Sequence, residues 1–183
     1  MQQERLVVLD RDGVINQDSD AFIKTPEEWI PIPGSLEAIA RLNHAGYIVA
    51  VATNQSGLAR GLFDADTLDD IHNRMHACLA EVGGYLDVVR LCPHGPDDGC
   101  DCRKPASGLF QQISAELGLP MNDVPAIGDS LRDLEAAAGV NAKPILVRTG
   151  KGANTEKNLP GQLADTPVYD DLAAAVDALL EVA

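Results

Sequence analysis

Leu6-Val7-Val8-Leu9-Asp10-Arg11-Asp12-Gly13 is an apolar run that opens directly into two carboxylates and a glycine. Four aliphatic residues in a row, bounded by a polar turn, read as a strand buried on both faces, the kind parallel sheets use. Asp10 and Asp12 then stand at its carboxyl end, the edge where open parallel sheets bind ligands. An isolated D-x-D is more often a solvated turn, so the rest of the chain has to decide. Further short apolar runs at Tyr47–Ala52, Leu86–Leu91, Val124–Ile127 and Ile145–Val147 predict four more strands, each ending in polar or glycine-containing sequence. Segments of helical period alternate with them, which gives an α/β fold: a three-layer α/β/α, Rossmann-like domain with a mainly parallel sheet.

The helical stripes are ordinary core. Leu36, Ile39, Ala40 and Asn43 share one face ahead of Gly46, a helix stop. Leu68, Ile71, Met75, Cys78, Leu79 and Val82 form a second stripe, which makes Cys78 a small buried hydrophobe. Phe110, Ile113, Ser114 and Leu117 form a third, and Leu172, Val176, Leu179 and Leu180 a fourth. The Gly-, Asn- and Pro-rich stretch Thr149–Pro167 reads as a surface loop.

The chain of 183 residues suits one core of ordinary size, and its formal charge of −14, with 14 basic against 28 acidic residues, repels polyanions. Nucleic acid is therefore not an expected partner. No signal-peptide layout precedes Leu6, and no apolar stretch approaches the ~20 residues that span a bilayer. The expectation is a cytoplasmic monomer that does not engage a membrane.

Other strand ends tip the balance on Asp10 and Asp12. The second strand runs into Thr53-Asn54-Gln55-Ser56, the fourth into Gly128-Asp129-Ser130, and Arg103-Lys104-Pro105 precedes a helix after the third. In a parallel sheet these ends converge. Carboxylates hold Mg²⁺ through hard oxygen ligands, while Lys104 and Thr53 can bind phosphoryl oxygens, so the set suits phosphoryl transfer. Asn54, Gln55, Ser56 and Arg103 are candidate substrate contacts beside Lys104.

The stretch Cys92–Cys102 places Cys92, His94, Cys100 and Cys102 within eleven residues. Three soft sulfurs and one borderline nitrogen match a closed, tetrahedral, structural Zn²⁺ site. The alternative is a group of free thiols or a redox pair, although no C-x-x-C is present. A bound ion would pin a loop without regular structure and thereby fix Arg103 and Lys104.

Taken together, Asp10-Arg11-Asp12-Gly13, Thr53-Asn54, Lys104 and Gly128-Asp129-Ser130-Leu131-Arg132-Asp133 resemble, in order, the motifs of the haloacid dehalogenase (HAD) superfamily of phosphatases. The resemblance implies catalytic roles for Asp10, Asp12, Thr53 and Lys104. Asp10 would attack phosphorus to form an aspartyl-phosphate, and Asp12 would protonate the leaving oxygen and then activate water. It also implies Mg²⁺ held by Asp10, the Asp12 backbone carbonyl and Asp129. Asp133 is either a support for the site or a helix charge. Family members often insert a cap domain, but the intervals here hold only a helix or a short loop, so residues 1–183 are expected to form one capless domain. Capless members with this cysteine loop act on sugar bisphosphates or on histidinol phosphate. Thr53–Gly61 and Val147–Lys151 resemble the sugar group, which implies a small phosphosugar substrate whose second phosphate meets Arg103 and Arg148–Lys151. Many sugar-phosphate members carry Lys where this chain has Ser130. A zinc-stabilised domain without catalysis is the nonenzymatic alternative.

Overall fold

The computed structural model describes residues 5–181. Its six strands are β1 (Arg5–Leu9), β2 (Tyr47–Asn54), β3 (Val88–Cys92), β4 (Pro125–Gly128), β5 (Lys143–Val147) and β6 (Val168–Tyr169). They form one sheet in the order β3-β2-β1-β4-β5-β6, and every pairing is parallel. The helices are α1 (Ser35–His44), α2 (Ala65–Glu81), α3 (Gly108–Leu117), α4 (Leu131–Ala138), α5 (Gly152–Glu156) and α6 (Leu172–Glu181). None among the described residues is long and apolar enough to cross a membrane.

Strand periodicity divides the core in two. Val7, Leu9, Val49 and Val51 pack with α1, α2 and α6, whereas Leu6, Val8, Ala50 and Ala52 pack with α3 and α4. Both faces of β1 and β2 are thus covered, the reason their sequences are apolar without alternation. The stripes named above supply the helical side of each layer. Cys78 and Val82 are half-buried at the margin of the first cluster rather than inside it. Gly46 follows α1 with φ +81°, a left-handed turn that glycine enters without strain.

Two expectations are corrected. The stretch from Thr149 to Pro167 contains α5 and a 3₁₀ turn at Gly161–Leu163, and it is followed by β6, an edge strand absent from the sequence reading. The predicted third strand also begins two residues late: Asp87 meets Val49 twice, its N–H donating to the carbonyl at 2.9 Å and its carboxylate accepting the Val49 N–H at 2.8 Å, and regular pairing starts at Val88. β2 conversely extends to Asn54, which pairs with Cys92.

Candidate active site and cysteine cluster

β1 lies between β2 and β4, and its last pairing carries the chain into the site: the Asp10 N–H donates to the Ile127 carbonyl at 2.9 Å. Beyond Asp10 the backbone closes a tight turn in which the Arg11 carbonyl accepts from Ile15 at 2.8 Å and the Gly13 N–H donates to the Asn16 carbonyl at 2.7 Å. Asp10 Oδ1 accepts the Arg11 N–H at 2.8 Å and pairs with Lys104 Nζ at 3.0 Å. Lys104 is only 3 % exposed, and its ammonium also meets Asp133 Oδ1 at 2.7 Å and the Ala52 carbonyl at 2.7 Å, so all three donors are used. Its backbone is gripped as well: Asn54 Nδ2 donates to the Lys104 carbonyl at 3.1 Å and Asn54 Oδ1 accepts the Lys104 N–H at 3.0 Å.

β4 delivers Asp129 to the same edge. Gly13 and Gly150 crowd its carboxylate, both at positive φ, and a Cβ on either would fall 2.1 or 2.2 Å from Asp129 Oδ2. Only glycine permits that approach. Asp133 is the third residue of α4 and closes a capping box with Ser130: Oδ2 accepts the Ser130 N–H at 2.9 Å and the Ser130 hydroxyl at 2.7 Å. Asp133 is therefore a buried support of Lys104 and of the turn carrying Asp129, not a free helix charge. Ser130 serves that turn.

Carboxylate oxygens of Asp10, Asp129 and Asp133 lie within 4.8 Å of one another. Burial, and then repulsion from Asp133, push the Asp10 pKa up to about 7 against the pull of Lys104. Burial, followed by Asp10 and Asp133, raises Asp129 to about 8. Asp133 goes the other way: burial opposes its charge, but Lys104 and the Ser130 donors hold it below the usual range. Two carboxylates left short of positive charge, with the third spent on Lys104, are hard donors fit for a divalent cation.

Asp12 is differently placed. Oδ1 accepts from Arg11 Nε at 3.1 Å, Arg11 Nη2 at 2.7 Å and Asn16 Nδ2 at 2.9 Å, while Oδ2 accepts from Gln55 Nε2 at 2.9 Å. Burial disfavours its charge, but Arg11 and these donors outweigh it and lower the pKa. Arg11 is itself fully buried and meets His72 Nε2 at 3.2 Å, the imidazole being kept neutral first by burial and then by Arg11, with a pKa of about 4. Sequence reasoning missed Arg11, Asn16 and His72. The only signal available was a histidine inside the apolar stripe of α2.

Asp10, Asp12, Asp129, Asn54, Gln55, Ser56, Arg103 and Lys104, predicted for substrate and magnesium, all line one cleft of about 170 Å³, whereas Thr53 does not. Thr53 is 1 % exposed, and its hydroxyl accepts from Gln55 Nε2 at 2.9 Å. Asn54 and Gln55 reach the cleft, yet their amides are occupied by Lys104 and Asp12. Arg148 corrects a further expectation: its guanidinium is bound to Glu156 at 2.7 Å and Asp170 at 2.6 Å, outside the cleft, whereas Lys151 does line it and pairs with Asp18 at 3.2 Å.

The cysteine loop closes on itself. Cys92, His94, Cys100 and Cys102 present donor atoms all within 4.8 Å, with Sγ separations from Cys92 of 3.7 Å to Cys100 and 3.1 Å to Cys102. His94 Nδ1 sits 3.6 and 3.3 Å from the sulfurs of Cys92 and Cys102. A tetrahedron of ligands about 2.3 Å from a central ion has edges of about 3.8 Å, so the group could hold a metal after slight expansion. The His94 carbonyl accepts Arg103 Nη1 at 3.3 Å, which ties the loop to the cleft.

A parallel sheet whose strand ends join a buried lysine to paired carboxylates defines an enzyme of phosphoryl transfer, and comparison with known proteins gives its class. A family profile described as polynucleotide kinase 3 phosphatase matches residues 6–129, and one described as HAD-hydrolase-like matches residues 101–175. D-glycero-beta-D-manno-heptose-1,7-bisphosphate 7-phosphatase of Bordetella bronchiseptica is 55 % identical over 98 % of this chain and 99 % of its own. The protein of that name from Pseudomonas aeruginosa is 55 % identical over 96 % and 98 %. A crystal structure of D,D-heptose 1,7-bisphosphate phosphatase from B. bronchiseptica, complexed with magnesium and phosphate, superposes with a TM-score of 0.94 at 55 % identity, covering 98 % and 99 % of the two chains. The chain belongs to this family of HAD-type heptose-bisphosphate phosphatases.

Proposed function

We propose that this chain removes the 7-phosphate of D-glycero-β-D-manno-heptose 1,7-bisphosphate through an aspartyl-phosphate at Asp10, as a step in supplying activated heptose for glycan synthesis. The observation that carries the chemistry is the Asp10 carboxylate itself. One oxygen is fixed by Lys104 and the Arg11 N–H, which leaves the other for attack. The relatives of that name, similar over nearly the whole chain, support the substrate.

In the first displacement Asp10 Oδ2 bonds to phosphorus and the bond to the sugar oxygen breaks. Lys104, already desolvated and aimed at Asp10, neutralises charge on the transferring group, and Thr53 binds another of its oxygens once Gln55 releases the hydroxyl. Asp12 is a carboxylate in the free chain; losing the Gln55 donor and facing the phosphate's negative charge raise its proton affinity, so it takes up a proton with the substrate and passes it to the leaving oxygen. In the second displacement Asp12 takes a proton from water, whose oxygen bonds to phosphorus, and Asp10 is regenerated with release of phosphate. Asn54 keeps Lys104 in place by its two backbone bonds, while Gln55, Ser56 and Arg103 face the sugar side of the cleft.

Asp10, Asp129 and the Asp12 carbonyl would hold Mg²⁺, matching the raised pKa values of the two carboxylates. When bound, the ion draws charge from the phosphoryl oxygens and aligns them with Asp10. Cys92, His94, Cys100 and Cys102 would hold a structural Zn²⁺. One capless domain spanning residues 1–183 carries the activity as a cytoplasmic monomer.

The test is phosphate release with Mg²⁺ from heptose 1,7-bisphosphate and from histidinol phosphate, with phosphorus NMR of the product. Heptose 1-phosphate as product is the expected result. A preference for histidinol phosphate, or loss of the 1-phosphate instead, overturns the assignment.

A further inference from the structure

Beside the cleft lies a second hollow of about 280 Å³ whose walls include Gly95, Pro96, Gly99, Arg103, Pro105 and Arg132. It shares Arg103, Lys104 and Arg132 with the cleft, so the two spaces are contiguous. Arg103 and Arg132 come from different places, the end of the cysteine loop and the first turn of α4, yet both line the cleft and the annex.

Neither Arg103 nor Arg132 forms an ion pair among the described residues, although the chain carries 28 acidic side chains and a charge of −14. Arg41, Arg90 and Arg148 each found a carboxylate. Two guanidiniums brought to one hollow with no carboxylate partner, on an acidic protein, suit the binding of an anion there. Arg103 is held by the His94 carbonyl at 3.3 Å, so its guanidinium is oriented in advance.

We propose that this annex is a second anion site, in which Arg132 together with Arg103 grips the phosphate that is not hydrolysed. The proposal rests on the bisphosphate reading above and takes the place there of Arg148, which Glu156 and Asp170 occupy. Arg132 makes no contact with the reacting carboxylates through a hydrogen bond or ion pair and so acts on selectivity rather than on the chemical step.

The test compares the parent with Arg132→Gln and Arg132→Lys on heptose 1,7-bisphosphate and on heptose 7-phosphate. Arg132→Gln should lose tenfold or more in kcat/KM on the bisphosphate, chiefly through KM, and less than twofold on the monophosphate. Arg132→Lys should fall between, keeping the charge but not the fork. Because Arg132 is exposed and unpaired, its variants should melt within a degree or two of the parent. Equal losses on both substrates, or no loss, overturn the annex while a parental preference for the bisphosphate leaves the proposed function standing. If the parent instead prefers histidinol phosphate, that function fails. The annex is then judged on fructose 1,6-bisphosphate against fructose 6-phosphate, where the absence of a differential effect overturns it too.

Discussion

Asp129→Asn should abolish turnover yet make the metal-free protein more stable. Burial, then Asp10 and Asp133, raise the Asp129 pKa from 3.8 to about 8 in the folded chain. A group raised in this way contributes stability that is fully present below its unfolded value and lost as pH rises through the folded one. At about 1.4 kcal/mol per pH unit, the separation corresponds to about 6 kcal/mol at pH 8. Asp10 carries part of the same repulsion, so removing one of the pair should recover roughly 2–4 kcal/mol, or roughly 5–12 °C in Tm for a domain of this size. The amide oxygen of the substituted side chain can still accept the Lys151 N–H, which now meets Asp129 at 2.8 Å, so no donor is orphaned. The assay is calorimetry of parent and variant at pH 5 and pH 8 after dialysis against Mg²⁺-free buffer without chelator, which leaves the cysteine cluster undisturbed. The gain should be large at pH 8 and small at pH 5, and added Mg²⁺ should raise the Tm of the parent only. A variant no more stable than the parent at pH 8, or equally stabilised at both pH values, would refute the account of Asp129 as an uncompensated carboxylate.

Other expectations are shorter. Asp10→Asn should reduce phosphate release to background with the fold intact by circular dichroism, because an amide cannot replace the nucleophile. Asp12→Asn should lose about 10²–10⁴-fold in kcat, the range general acid–base groups supply, and acid-quench labelling should show a longer-lived aspartyl-phosphate. Elemental analysis should find about one zinc per parent chain and little in Cys100→Ser. That variant should also melt far lower, since structural zinc supplies apparent binding energies on the order of 10 kcal/mol. Arg148→Ala should change kcat/KM on the bisphosphate by less than about twofold, as expected of a surface ion-pair residue remote from the cleft.

What was legible in the sequence follows from how each residue is held. Strands β1, β2, β4 and β5 are buried on both faces and so announce themselves as aliphatic runs, and their polar ends then mark Asp10, Thr53 and Asp129. β6 is two residues at an edge, too short to make a pattern. α5, Gly-Ala-Asn-Thr-Glu, is only five residues long, three of them weak helix formers (Gly152, Asn154 and Thr155), and is held by tertiary contacts, among them the Thr155 hydroxyl donating to the Asp129 carbonyl at 2.9 Å. Asp133 was readable in principle, because Ser130 three residues earlier is the opening of a capping box. Its grip on Lys104, and the line from His72 through Arg11 to Asp12, join residues 29 and 61 positions apart. No local spacing encodes such contacts. The meeting of Arg103 and Arg132 at one hollow belongs to the same kind, a loop end and a helix start that only the closed sheet brings together.

The pairing of β1 with β4 joins Leu9 to Ile127, about 118 positions along the chain. The entropy of closing a loop grows only as the logarithm of its length, so doubling that interval adds about 0.6 kcal/mol. Whole domains could therefore be spliced into the connections after β1 or β2, or removed from them, with little effect on how Asp10 meets Asp129. The strand ends form a chassis that tolerates such remodelling, and changes of substrate can be written into the connections while the phosphoryl-transfer chemistry stays fixed in the sheet.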